Sequence, residues 1–77
     1  MTVAEFCREL ELVLEMPPGS VKESEKLADL GAWDSMAAIS FIAMADSKLG
    51  AFVSAEKLAA CRSVADLAAL FPDKVTA

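Results

Sequence analysis

The sequence predicts an all-α protein: a four-helix bundle with a long loop between the first and second helices and a short third helix. Three observations predict it. Apolar residues recur at three- and four-residue steps, the spacing of one helix face. Residues able to accept hydrogen bonds from free helix amides (Thr2, Asp34, Ser54 and Ser63) stand just before such stretches. Fifteen of the 77 residues are alanine, whose small side chains suit close helix packing. A second domain is excluded by length, because each domain needs roughly 50 residues or more to close a core. Residues 1–77 therefore read as a single domain.

The first helix opens at Thr2, whose spacing to Glu5 is that of a capping box. Val3, Phe6, Cys7, Leu10, Val13 and Leu14 form its apolar stripe, and Glu5, Glu9, Glu11 and Glu15 are expected on its solvated face. Pro17-Pro18-Gly19 ends it, since proline lacks the amide donor and restricts Met16 before it. From Ser20 to Trp33 there are few spaced apolar residues. The segment reads as a loop with one helical turn, and Ser20 with Glu23 has the spacing of a further capping box. The second helix, roughly residues 35 to 48, starts behind Asp34 and places Ala38, Phe41, Ile42, Ala45 and Leu49 on one face, with Gly50 closing it. Ser54 caps the short third helix, which contains Leu58 and Ala59. Ser63 with Asp66 caps the fourth, whose Val64, Leu67, Ala68 and Phe71 form a stripe stopped by Pro72. Phe6, Leu10, Phe41, Ile42, Leu67 and Phe71 are the expected core.

Twelve acidic against seven basic residues give a net charge of −5, which repels a phosphate backbone, so no nucleic-acid partner is expected. The longest mostly apolar run, Met36 to Ala45, falls short of the roughly 20 residues of a membrane span. No membrane partner is expected, and without a basic and apolar leader the expected location is cytoplasmic. Cys7 and Cys61 stand far apart in a chain with no histidine. No metal site is predicted from them; both read as small thiols buried in the core.

One position stands out chemically. In Leu30-Gly31-Ala32-Trp33-Asp34-Ser35-Met36, Ser35 falls in the first turn of the second helix, with its hydroxyl expected to face solvent. Free amides and the positive end of the helix dipole favour an anion there, so a phosphoester on Ser35 would be stabilised. A serine acting as its own nucleophile needs a base within hydrogen-bond reach. No histidine exists to serve, and no lysine adjoins Ser35 in sequence. No catalytic residue is assigned, and an enzyme is not expected.

Gly-x-x-Asp-Ser-Met, followed by an apolar helix and Leu49-Gly50, resembles the acyl carrier protein family, including its peptidyl and aminoacyl carriers. The likeness extends to the Ser-capped Ala55-Glu56-Lys57-Leu58 and the closing Leu67-Ala68-Ala69-Leu70-Phe71. It implies a discrete carrier, with Ser35 accepting a 4′-phosphopantetheine arm from coenzyme A by a separate, magnesium-using phosphopantetheinyl transferase. Cargo would ride on the arm's thiol as a thioester, and Asp34 would help present Ser35 to the transferase and its metal. Further implied partners are an acyl- or aminoacyl-loading ligase and a downstream synthase or transferase, with the carrier itself a monomer. Trp33 departs from the leucine common in fatty-acid carriers; it either positions the arm or meets a partner, or it plugs the loop onto the bundle.

On the second helix, Met36, Ala37, Ile39, Ser40, Ala43, Asp46 and Ser47 are expected to be exposed, with one acid among them. Carriers serving fatty-acid synthesis usually show several acids there, which points to a specialised pathway instead. Met36, Ile39, Ser40, Ala43 and Trp33 are the predicted partner-binding residues. The competing function is an unmodified helical interaction module, a degenerate carrier that binds a partner through helix two.

Overall fold

The computed structural model describes residues 1–76. Four α-helices follow one another: α1 (Val3–Leu14), α2 (Ser35–Met44), α3 (Ala55–Ala60) and α4 (Val64–Ala69). A single 3₁₀ turn, Leu27–Asp29, interrupts the long loop, and a π-helical turn, Ala45–Leu49, extends α2. Among the described residues there is no strand, only two isolated bridges, Thr2 with Thr76 and Lys26 with Ser63.

Local chemistry starts each helix where the sequence places it. At α1 the Glu5 amide donates to Thr2 Oγ1 at 3.1 Å, and Glu5 Oε1 accepts from the Thr2 amide at 2.9 Å, a complete capping box. Ser54 accepts from the Lys57 amide to start α3, and Ser63 with Asp66 forms a second capping box at α4. α1 ends earlier than Pro17-Pro18-Gly19 alone would require. Glu15 takes a left-handed φ of 56°, and its amide turns back to the Glu11 and Leu12 carbonyls. Gly50, at φ 61°, terminates the π turn as expected.

Phe6, Leu10, Phe41, Val64 and Leu67 are the largest fully buried side chains. Phe41 packs edge-on against Phe6 (ring centroids 5.9 Å apart) and against Trp33 (6.0 Å), and tilted against Phe71 at 6.2 Å. Edge-to-face aromatic pairs of this kind contribute about 0.5–1.5 kcal/mol beyond area burial. Phe41 thus joins α1, α2, the loop and the segment after α4 in one cluster.

Five expectations are corrected. Glu11 is not solvated: it is 5% exposed, and its Oε2 accepts from the Gly19 amide at 2.9 Å and the Val21 amide at 3.0 Å. Ser20 and Glu23 form no capping box, because Ser20 Oγ donates to the Pro17 carbonyl and no helix begins there. The buried face of α2 is turned toward Ala37 and Met44; Ala38 and Ile42 are only half-buried, and Ala37 is not exposed. α2 itself stops at Met44, and the remaining stretch to Leu49 is the π turn. Cys61 is half-buried rather than buried; both cysteines are free thiols.

The long loop is fastened at both ends. Glu11 holds its beginning, and its later carbonyls cover the start of α4. The Val64 amide donates to the Glu25 carbonyl (3.0 Å) and the Ala65 amide to that of Glu23 (3.1 Å). The Asp66 amide donates to Ser63 Oγ and the Leu67 amide to the Ser63 carbonyl, so all four first amides of α4 are paired. The Leu27 amide also donates to the Arg62 carbonyl at 2.9 Å. A loop held in this way delivers Trp33 and Asp34 to the start of α2 in one defined position.

Candidate functional site

Asp34 has the extended backbone of an N-cap (φ −140°, ψ −172°), and its Oδ1 accepts from the Ala37 amide at 2.8 Å. Its carbonyl accepts from the Ala38 amide at 2.9 Å, the first bond of α2. Ser35 is therefore the first helical residue, and it is exposed. Because Asp34 supplies the cap, the Ser35 hydroxyl is left outside it. The amides of Ser35 and Met36 take no partner among the described residues, so two donors and the positive helix end stand beside the Ser35 hydroxyl.

Beside Ser35 lies a shallow groove of ≈ 200 Å³, lined by Trp33, Asp34, Ser35, Ala38, Leu58 and two alanines of α3. Its walls are apolar apart from Asp34 and Ser35, and no histidine, lysine or arginine lines it. This geometry fits a phosphopantetheine group: the amides of the first turn would face the phosphate, and the small side chains of α3 would leave room for the arm. Ser35, Asp34 and the groove residues would hold it.

Met36 is 71% exposed and Ile39 63%, with Ser40 and Ala43 exposed on the same side of the helix. All ten residues of α2 are uncharged, and Asp46 in the following turn is the acid near this face. Trp33 is half-buried: it packs on Phe41, as the plug reading expects, and it also lines the groove. The predicted residues Trp33, Asp34, Ser35, Met36, Ile39, Ser40 and Ala43 thus converge on the start and outer face of α2.

Sequence reasoning missed the groove's opposite wall. Leu58 is read there only as an apolar residue of a short helix, and nothing in its spacing tells that α3 lies across from Ser35. Beside the groove, with Trp33, Leu58 and Ala59 lining both, lies a larger cleft of ≈ 660 Å³ whose lining also includes Lys26, Leu27 and Arg62. No local pattern links Lys26 to Arg62; the Lys26–Ser63 bridge makes them neighbours.

Burial pushes both thiols above the usual cysteine value, with the charges of Glu11 and then Glu23 adding at Cys7 and that of Asp66 at Cys61. Neither is poised as a nucleophile.

Residues 4–71 match a family model described as the phosphopantetheine attachment site. No curated protein and no solved structure matches the chain.

Proposed function

The chain belongs to the phosphopantetheine attachment-site family, that of the acyl carrier proteins, and from this premise we propose that Ser35 bears the 4′-phosphopantetheine group. Residues 1–77 are read as one carrier domain that presents an acyl, aminoacyl or peptidyl cargo to partner enzymes of a specialised pathway. The observation that carries this is the exposed Ser35 hydroxyl at the first position of α2, with its own amide and that of Met36 unpartnered beside it among the described residues.

When bound, the group supplies a flexible arm whose terminal thiol carries cargo as a thioester. The chain's own residues have simpler tasks. Ser35 Oγ provides the lone pair for the new phosphoester bond as the pyrophosphate bond of coenzyme A breaks and adenosine 3′,5′-bisphosphate leaves; its proton goes to a base of the transferase, since no histidine, lysine or arginine lines the groove beside it. The first-turn amides stabilise the resulting phosphodiester charge. Asp34 Oδ2 takes no part in the cap and is free to face the transferase and its metal.

A phosphopantetheinyl transferase attaches the group, and a loading ligase and a downstream synthase or transferase meet α2 through Met36, Ile39, Ser40 and Ala43. The chemistry of loading and transfer belongs to those partners. Among the described residues no helix is long and apolar enough to cross a membrane, and two free thiols suit the reducing cytoplasm.

The test is attachment-site mapping. After incubation with a broad-specificity transferase and coenzyme A, fragmentation of proteolytic peptides should place the added group on Ser35. A group mapped to any of the other serines overturns the assignment. A chain that takes up no group supports the unmodified interaction module instead.

A further inference from the structure

The cleft beyond Trp33 joins an apolar wall to two cations. Leu27, Leu58 and Trp33 supply the wall, and Lys26 and Arg62 stand at it. In a chain of net charge −5, a pair of cations at one cleft runs against the overall field. Neither side chain is ion-paired among the described residues, where the one ion pair joins Lys48 to Glu9 at 3.9 Å. The single carboxylate lining the cleft, Asp66, is drawn toward the backbone: its Oδ2 accepts from the Arg62 amide at 2.9 Å and the Ser63 amide at 3.2 Å. Two cations therefore face one carboxylate that is already engaged.

This cleft adjoins the groove at Ser35, since Trp33, Leu58 and Ala59 line both. A phosphopantetheine arm extends roughly 17 Å, the span of about five residues of extended chain, against a molecule measuring 27 × 25 × 19 Å. An arm rooted at Ser35 is long enough to lie along the groove and bring its cargo past Trp33.

We propose that the cleft between the long loop and α3 receives the arm-borne cargo, and that Lys26 and Arg62 favour a short acyl chain ending in a carboxylate. The inference rests on attachment at Ser35. Its apolar stretch would lie on Leu27, Leu58 and Trp33, and its terminal carboxylate would meet the two cations. A cargo ending in an ammonium group, such as an aminoacyl chain, would be repelled, and a neutral acyl chain would gain only the apolar contact. Both cations are exposed, so the preference is modest and screened by salt.

The experiment uses a broad-specificity phosphopantetheinyl transferase to load the chain from coenzyme A thioesters with three six-carbon cargoes: adipoyl, hexanoyl and aminohexanoyl. Intact mass reports loading and so tests attachment separately; a chain that accepts none of the three overturns the carrier reading and this inference with it. For the loaded forms, the NMR shift of the Trp33 indole N–H, measured against the arm without cargo, reads cleft occupancy. Adipoyl should occupy the cleft about fivefold more than hexanoyl at low salt, the size of one exposed ion pair, and aminohexanoyl least. The excess should vanish at high salt, and also in the Lys26→Gln, Arg62→Gln double variant, whose two exposed positions leave the core untouched. Loading of all three with equal shifts, or an adipoyl excess that survives both salt and the double substitution, overturns the proposal.

Discussion

Glu11 is a carboxylate at 5% exposure that accepts two backbone amides from the loop ten residues downstream or nearer. Hydrogen bonds to a charged acceptor contribute more than neutral ones, and the Val21 amide is buried, so removing the acceptor strands a donor. Glu11→Ala should lower stability by about 1–3 kcal/mol in urea unfolding, and Glu11→Gln should lose less because it keeps one acceptor oxygen. An unchanged midpoint in Glu11→Ala would show that the loop is held by other contacts. The sequence reading put Glu11 on the solvated face with Glu5 and Glu15 because helical spacing describes one element at a time. Its partners reach it only after the chain doubles back at Gly19, whose φ of 83° suits glycine. By contrast, Asp34 and Ser35 were legible, since a cap and the residue after it depend on immediate neighbours alone. The thiols give a second check at this scale. With Cys7 and Cys61 both pushed up by burial, alkylation near neutral pH should modify them more slowly than the unburied thiol of an attached arm. Equal rates would show that the two sites open freely.

Among the elements, α1 depends on its capping box. The backbone amide of Thr2, followed by its hydroxyl contact, holds the Glu5 carboxyl below the usual glutamate range. A folded-state pKa that is lowered contributes stability that is present above the unfolded value and is lost as pH falls through the folded one. The α1 start should therefore loosen only in acid, below the ordinary glutamate range. NMR titration of the Glu5 side-chain carboxyl should give a low midpoint that rises in Thr2→Ala; a midpoint at the ordinary value in the parent would contradict the box. α2 presents the opposite case. Phe41 was legible as core, and Phe41→Ala should cost about 3–5 kcal/mol, whereas a loss below about 1 kcal/mol would be that of a surface change. The exact face was not legible. With apolar residues on every side of α2, periodicity cannot tell whether Ala38 and Ile42 or Ala37 and Met44 turn inward. Packing against α1 and α3 decides it, and it leaves Ile42 half-buried.

At the scale of the whole molecule, the four helices, their order and the long loop could be read from caps and stripes. The groove and cleft could not, because they arise where Lys26 meets Ser63 and where α3 crosses toward Ser35. The outer surface divides in a similar way: acids dominate α1 and the loop, while the exposed side of α2 is uncharged. Exposed ion pairs contribute about 0.2–1 kcal/mol and are screened by salt, whereas burying Met36 contributes about 1.5–3 kcal/mol. Docking of a loading enzyme should therefore weaken more in Met36→Ala than in high salt, with salt acting chiefly on the association rate. Affinity that collapses with salt and ignores Met36→Ala would make docking electrostatic.

The loop fastened by Glu11 and by the start of α4 brings Asp34 to the head of α2, and Asp34 leaves the Ser35 hydroxyl exposed. The central claim is that this one hydroxyl carries the prosthetic group. Intact mass spectrometry of the parent chain and of Ser35→Ala, each treated with a phosphopantetheinyl transferase and coenzyme A, tests it most directly. The account predicts a single added phosphopantetheine on the parent and none on the variant, with the same helical circular dichroism for both. A variant that still gains the group, or a folded parent that never does, would contradict it.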